Sequence, residues 1–341
     1  CAHTRQETGT QLYHNCLASH PVWCAMVEGP TDVLAWVSVG LYVAGLVGWR
    51  LDRRAGRTLI GLAWLSFAAF WAILTPHFLL VERSAIEGVG SLVAVPASVY
   101  AGYLFWQGRE SIVVLTRAIA VMGVIYLPVT TIEPLFRGLI ELTTRQVSVG
   151  IGLLGFTPAV VTDDAGLLNT FVFTTGGQQL ETFIVLACTG LGSMAIFAGL
   201  ILAVEAPFER KLVALALSLP LIYVLNLVRN VWIAVAFGEQ WLQYGVPSMT
   251  RLFGIPAGDQ ALVSFFLADK VLAQSASVVA LVAITVLVVR RLPEAAQVLE
   301  EALYVLTRRE IPLEELFADL VSTSETGTDA TEPEAGPPGD D

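Results

Sequence analysis

A cysteine lies among small residues in one of the long apolar stretches of the chain, in the run Ala187-Cys188-Thr189-Gly190-Leu191-Gly192-Ser193. The three other cysteines all lie within the first 24 residues. A free thiol, with a pKa of about 8.5, is mostly protonated at neutral pH, and neighbouring cations favour the nucleophilic thiolate. Two interpretations are therefore open for Cys188: a nucleophile, or a small buried apolar side chain.

A second polar cluster, Asn226-Leu227-Val228-Arg229-Asn230, interrupts the next apolar stretch. Ionisable residues within membrane helices are rare and by default indicate function. Arg229 could favour a thiolate and hold the oxyanion that forms when the thiolate attacks a peptide carbonyl. The alternative is an arginine that extends to the membrane surface while the asparagines bridge helices.

The elements that must carry these residues are membrane helices. Stretches of about 17–25 apolar residues are long enough to cross a bilayer, and the sequence predicts an all-α polytopic fold with about seven of them. The predicted spans are Val33–Trp49, Thr58–Thr75, Val89–Trp106, Arg117–Ile132, Phe183–Val204, Leu212–Ala236 and Val271–Val289, the last with Leu262 as an alternative start. A further stretch, Val147–Val161, is rich in glycine and is either an eighth span or a re-entrant or surface segment.

The distribution of lysine and arginine predicts the orientation of the spans. The loops after the first, third, fifth and last spans carry most of these residues, which is typical of cytoplasmic loops. The N-terminus is therefore predicted outside and the C-terminus inside. The large loops 133–182 and 237–270 are then outside.

This orientation brings three polar groups to one depth. Cys188 lies about five residues below the outer end of its span, roughly 7–8 Å. Arg229 lies 18 residues beyond Lys211 at the inner surface, roughly 27 Å across a hydrocarbon core of about 30 Å. The last span begins at Asp269-Lys270, on the same side. The sequence thus predicts a nucleophile and two cations near the outer leaflet, and either Arg229 or Lys270 could deliver a proton to the leaving amine.

Composition and charge divide the chain into three parts. Hydrophobic residues make up 55 % and charged residues 14 %, which excludes a soluble enzyme or a nucleic-acid binder. The formal net charge of −11 lies entirely in residues 293–341, with 13 acidic residues and two arginines. We predict a polar N-terminal arm (1–30), a multi-span domain (31–292) and an acidic cytoplasmic tail (293–341) that is disordered after about residue 321. Two lysines against 17 arginines, together with this tail, are typical of proteins from high-salt organisms.

The residue inventory excludes several kinds of site. No histidine follows His77, which excludes serine–histidine and cysteine–histidine dyads and HExxH zinc sites from the second half. The predicted span interiors contain no aspartate, which excludes an aspartyl intramembrane protease. We expect no cofactor and no metal ion.

The motif Ala187-Cys188-Thr189-Gly190, followed by Asn226-x-x-Arg229, resembles the exosortase/archaeosortase family of membrane transpeptidases. The resemblance implies that Cys188 forms an acyl-thioester and that Arg229 is a proton donor, with Thr189, Gly190, Asn226 and Asn230 in support. The family has a third basic residue near the start of a later span. Lys270 matches it best, and Arg251 is the alternative.

The resemblance also implies the partners. The substrates would be exported surface proteins, such as the surface-layer glycoprotein, with a C-terminal signal made of a PGF-type motif, a transmembrane helix and a basic end. The enzyme would cleave near the motif outside the cell membrane and transfer the new C-terminus to the amine head group of a lipid. From the residues alone an alternative stays open, in which Arg229 binds an anion in a transporter or channel.

Overall fold

The computed structural model describes residues 2–4, 21–81, 85–163, 165–253, 255 and 259–313, with side chains over 31–79, 88–163, 165–252, 255 and 259–313. This part of the chain is mainly helical, which confirms the expected polytopic helical fold. Within it, six helices are long and apolar enough to cross a membrane. They span Thr31–Leu51, Arg53–Leu79, Gly88–Trp106, Ile112–Thr131, Phe208–Gly238 and Leu262–Arg291.

The first four of these helices pack around an apolar core. They are α1 (Pro21–Leu51), α2 (Arg53–Pro76, continued by a π-helical turn to Val81), α3 (Ala85–Trp106) and α4 (Ile112–Thr131). A Cβ on Gly56 would lie 2.3 Å from the backbone nitrogen of Trp49. The turn between α1 and α2 therefore requires glycine at that position, because no side chain fits between the two backbones.

The predicted outer loop 133–182 contains a helix and most of a small sheet. Helix α5 (Glu133–Leu153) is followed by β2 (Ala159–Thr162), β3 (Leu168–Thr175) and β4 (Gln178–Phe183). With β1 (Ala2–Thr4) they form an antiparallel sheet in the order β1-β4-β3-β2. The sequence analysis did not predict this sheet. The stretch 147–161 is not an eighth span, because it is divided between the end of α5 and β2.

The predicted fifth span, Phe183–Val204, does not form one membrane-crossing helix. The chain leaves β4, makes a 3₁₀ turn at Leu186–Thr189 and then forms α6, Leu191–Ala203. These 13 residues measure about 20 Å, which is shorter than the hydrocarbon core of about 30 Å. Hydropathy does not detect the break, since the residues of the turn are as apolar as those of the helix.

The last part of the membrane domain begins with α7 (Phe208–Gly238) and the short α8 (Val246–Phe253). A continuous helical run then consists of α9 (Leu262–Phe266), a π-helical turn (Leu267–Ala273) and α10 (Gln274–Arg291). The predicted last span was Val271–Val289 with Leu262 as an alternative start; the helical run begins at Leu262 and therefore includes Asp269. The expectation that the spans contain no aspartate is therefore wrong.

The first part of the acidic tail packs onto the helical domain. After a 3₁₀ turn at Pro293–Ala295, helix α11 (Ala296–Thr307) contacts α4 and buries Val298 and Val305. Arg109, in the loop after α3, donates to both carboxylate oxygens of Glu301 at 3.1 and 3.0 Å, and this interaction raises the pKa of Arg109. Residues from 314 onward, including the predicted disorder after about residue 321, lie outside the described residues.

Candidate active site

Strand β4 and the 3₁₀ turn determine where Cys188 lies. The backbone N–H of Ile184 donates to the carbonyl of Asn169 on β3 at 2.8 Å. The N–H of Cys188 then donates to the carbonyl of Val185 at 2.8 Å. Cys188 is buried, with 8 % of its surface exposed, in the apolar cluster shared by the sheet, α5 and α7. The cysteine is therefore held between the sheet and the membrane helices and does not lie within a helix.

Thr189 and Gly190 form the junction between this turn and α6. The Thr189 hydroxyl is fully buried, donates to the carbonyl of Leu186 at 2.7 Å and accepts from the N–H of Leu191 at 3.3 Å. Gly190 has φ +75° and ψ 1°, in the left-handed region that favours glycine. The two residues end one helical segment and begin the next, directly after the cysteine.

Two asparagines of α7 hold the backbone carbonyl of Cys188. The Nδ2 atoms of Asn226 and Asn230 donate to this one oxygen at 2.5 and 2.6 Å. The asparagines are four residues apart, so they lie on one face of the helix. The carbonyl oxygen has two lone pairs, and the two amides occupy both. This contact brings the two sequence motifs together.

Arg229 pairs with an acidic residue that the sequence analysis did not assign to the site. Its Nη2 donates to Oδ1 of Asp269 at 2.6 Å. Asp269 lies in the π-helical turn and is 7 % exposed. A carboxylate within an apolar helix usually pairs with a cation, and this expectation could have identified Asp269 as the partner. π-helical turns are also frequent at functional sites.

Lys270 joins the cluster only through Asp269. Its Nζ is 3.8 Å from Oδ2 of Asp269, and half of its side chain is exposed (51 %). One carboxylate thus lies between the Arg229 guanidinium and the Lys270 ammonium. Arg251, the alternative third basic residue, lies exposed on α8, and within the described part of the chain it forms no ion pair. The structure therefore connects Lys270 to the site and leaves Arg251 outside it.

Arg229 has a buried donor, Nε, that makes no hydrogen bond to any described residue. An unsatisfied buried donor is destabilising by about 1–3 kcal/mol, so a bound oxygen that reaches Nε would relieve this cost. The apolar surroundings, which include Ile233 and Phe265, lower the local dielectric and strengthen such an interaction.

A family model and two curated proteins match most of this chain. Residues 31–246 match the family model described as "Transmembrane exosortase". This match includes Cys188, Asn226, Arg229 and Asn230 and ends before Asp269. No solved structure matches the chain.

Two curated relatives are both named Archaeosortase A. The protein of Haloferax volcanii is 47 % identical over 293 residues, which cover 83 % of this chain and 96 % of the relative. The protein of Natronomonas pharaonis is 44 % identical over 282 residues, which cover 80 % of this chain and 88 % of the relative.

Proposed function

The chain belongs to the transmembrane exosortase family, and on that premise we propose that it is a membrane cysteine transpeptidase with Cys188 as the nucleophile. One observation carries the proposal: two amides of α7 hold the carbonyl of Cys188, on the same helical turn that carries Arg229. A cysteine that serves only as a small apolar side chain does not need its backbone held by two side chains. A nucleophile does, because small displacements of reacting atoms lower the rate strongly.

The first half of the reaction forms an acyl-enzyme. The Cys188 sulfur attacks a substrate peptide carbonyl, a C–S bond forms, and negative charge develops on the carbonyl oxygen. Arg229 donates to this oxyanion through Nε, a donor for which the described residues provide no acceptor. Collapse of the intermediate breaks the C–N bond, and the proton that the thiol released ends on the leaving amine.

Lys270 is the better candidate to carry that proton. Arg229 is held by Asp269, and a guanidinium stays charged and gives up a proton reluctantly. Before the attack the proton of the Cys188 thiol resides on Lys270, as the ammonium that lies half exposed beside the same carboxylate, and this ammonium then protonates the leaving amine. In the second half a lipid amine attacks the thioester carbon, the C–S bond breaks as the amide forms, and the proton that the attacking amine loses returns to Lys270.

The substrates we propose are exported surface proteins with a C-terminal signal of a PGF-type motif, a transmembrane helix and a basic end. The surface-layer glycoprotein is one such protein. The charge pattern of the loops supports a site that faces outward, where these proteins arrive after export. A membrane-embedded site suits a signal that contains a transmembrane helix.

An anion-transport function fits the contacts less well. Anion transport gives no role to the contact of Asn226 and Asn230 with the Cys188 carbonyl, which the catalytic proposal uses. Anion flux in liposomes that continues after loss of Cys188 would favour transport over catalysis.

Substitution of the nucleophile tests the proposal. We expect the Cys188→Ala protein to be present in the membrane and to leave signal-bearing substrates unprocessed. Cys24→Ala is the matched control, because it also removes a thiol but lies outside the family match. Mass spectrometry of a substrate's C-terminus, with and without Cys188, identifies the cleaved bond and the lipid acceptor. Normal processing by Cys188→Ala would overturn the proposal.

A further inference from the structure

Asp269 lies in the candidate active site, yet the reaction proposed above gives it no chemical step. Its Oδ1 accepts from Nη2 of Arg229 at 2.6 Å, and its Oδ2 lies 3.8 Å from Nζ of Lys270. Its side chain is only 10 % exposed. Both oxygens of one buried carboxylate therefore face the two cations of the site.

A buried carboxylate needs a reason to be retained. Removing a charge from water is unfavourable by several kcal/mol, and pairing only offsets that cost. An arginine on an apolar helix, in turn, extends toward the nearest water if nothing holds it. The Arg229–Asp269 contact joins α7 to the π-helical turn at Leu267–Ala273, so it determines the direction of the guanidinium.

We propose that Asp269 is a positioning residue for Arg229: it binds Nη2 and leaves Nε to the carbonyl oxygen of the substrate. This inference rests on the proposed function and goes beyond it, since it assigns Asp269 a role that Asp269 exerts by orienting Arg229. Asp269 does not touch the reacting atoms in this arrangement. Its carboxylate also holds Lys270 beside Arg229, so that the oxyanion donor and the proton carrier share one anchor.

Two substitutions at Asp269 test whether its negative charge and its side-chain length are required. Asp269→Asn keeps the shape and removes the charge, and we expect turnover of a purified substrate to fall about a hundredfold with little change in KM. Asp269→Glu keeps the charge on a longer side chain and should recover part of the loss. Turnover within twofold of wild type for Asp269→Asn would overturn the inference.

Alkylation of Cys188 by iodoacetamide distinguishes positioning from damage to the fold. A residue that acts only through Arg229 leaves the Cys188 thiol and the two amide contacts to the Cys188 carbonyl unchanged. We therefore expect alkylation as fast as in wild type although turnover falls. Slower alkylation together with slower turnover would indicate a general disturbance of the site and would contradict the inference.

A double-mutant cycle with Arg229→Lys gives an independent readout. A lysine has one nitrogen and cannot bind the carboxylate while it presents a second donor to the substrate, so Asp269→Asn should then have little further effect on turnover. Additive effects of the two changes would show that Asp269 does not act through Arg229. Failure of this inference is distinguishable from failure of the proposed function. If Cys188→Ala is inactive and Asp269→Asn is fully active, the role of Asp269 is wrong and the role of Cys188 as nucleophile stands.

Discussion

Gly190 lies directly against Asn226, and a Cβ on this glycine would be 3.1 Å from the side-chain amide carbon of the asparagine. Such a contact is closer than side chains normally make, and the Asn226 amide cannot withdraw without leaving the Cys188 carbonyl that it holds. Asn226 can therefore hold the Cys188 carbonyl only if residue 190 is a glycine. Two motifs that are far apart in the sequence form one packed unit.

Gly190→Ala should reduce both stability and activity. The new methyl group would press on Asn226, and alanine at φ +75° is strained by about 1–2 kcal/mol. We expect a lower unfolding temperature and a strong loss of substrate processing. Gly192→Ala is the matched control, because nothing lies within 4 Å of its Cβ position. Equal behaviour of the two variants would contradict the assigned contact.

Each of Asn226 and Asn230 should partly compensate for loss of the other. Each single alanine variant leaves one amide on the Cys188 carbonyl, whereas the double variant leaves none. Each single change is expected to destabilise by about 1 kcal/mol and to lower the rate modestly, and the double variant should lose more than the product of the two. Unfolding temperatures and processing rates measure this.

Ser218→Ala serves as control for the asparagine series, since it removes a buried hydrogen bond that α7 makes to itself at Ala214. It should affect stability and spare the processing rate. If the asparagine double variant only matches the product of the single effects, the two amides do not share one acceptor in solution.

Lys270 and Arg251 should respond differently to truncation. Lys270→Ala removes the cation next to Asp269 and is expected to slow processing about a hundredfold or more, the range for loss of a proton donor. Lys270→Arg keeps the charge but gives up a proton reluctantly, so it should recover only a small part of the activity. Arg251→Ala should process substrate at the wild-type rate, because the side chain is exposed and outside the cluster. If Arg251→Ala loses activity and Lys270→Ala does not, Arg251 and not Lys270 is the third basic residue of the site.

Glu301 should matter for stability and not for chemistry. Its carboxylate accepts two hydrogen bonds from Arg109 and is 11 % exposed, at the end of the molecule where the acidic tail packs. Glu301→Gln leaves the partly buried arginine with the exposed Glu310 carboxylate, 3.5 Å away, as its remaining anion, and is expected to destabilise by about 1–3 kcal/mol. Glu310→Gln, whose carboxylate is 79 % exposed, should change stability by less than about 1 kcal/mol. Thermal unfolding in detergent compares the two variants.

The sequence alone identified the membrane helices and the chemistry-bearing residues. Apolar length is a local property, so six of the seven predicted spans correspond to long helices. Cys188, Arg229 and the two asparagines were identifiable because polar groups within apolar stretches are costly and few. The number of spans and the orientation of the chain remain predictions.

Contacts between distant segments depended on the tertiary structure. Hydropathy does not distinguish an apolar turn from an apolar helix, so it missed the 3₁₀ turn that carries Cys188 and the shortness of α6. Asp269 lies 40 residues from Arg229, and no spacing rule predicts which cation a carboxylate meets. The two residues pair because α7 and the π-helical turn approach each other in space, and that approach results from packing over the whole domain. The sequence by itself thus determined which groups could react, and only the tertiary structure decided which of them meet.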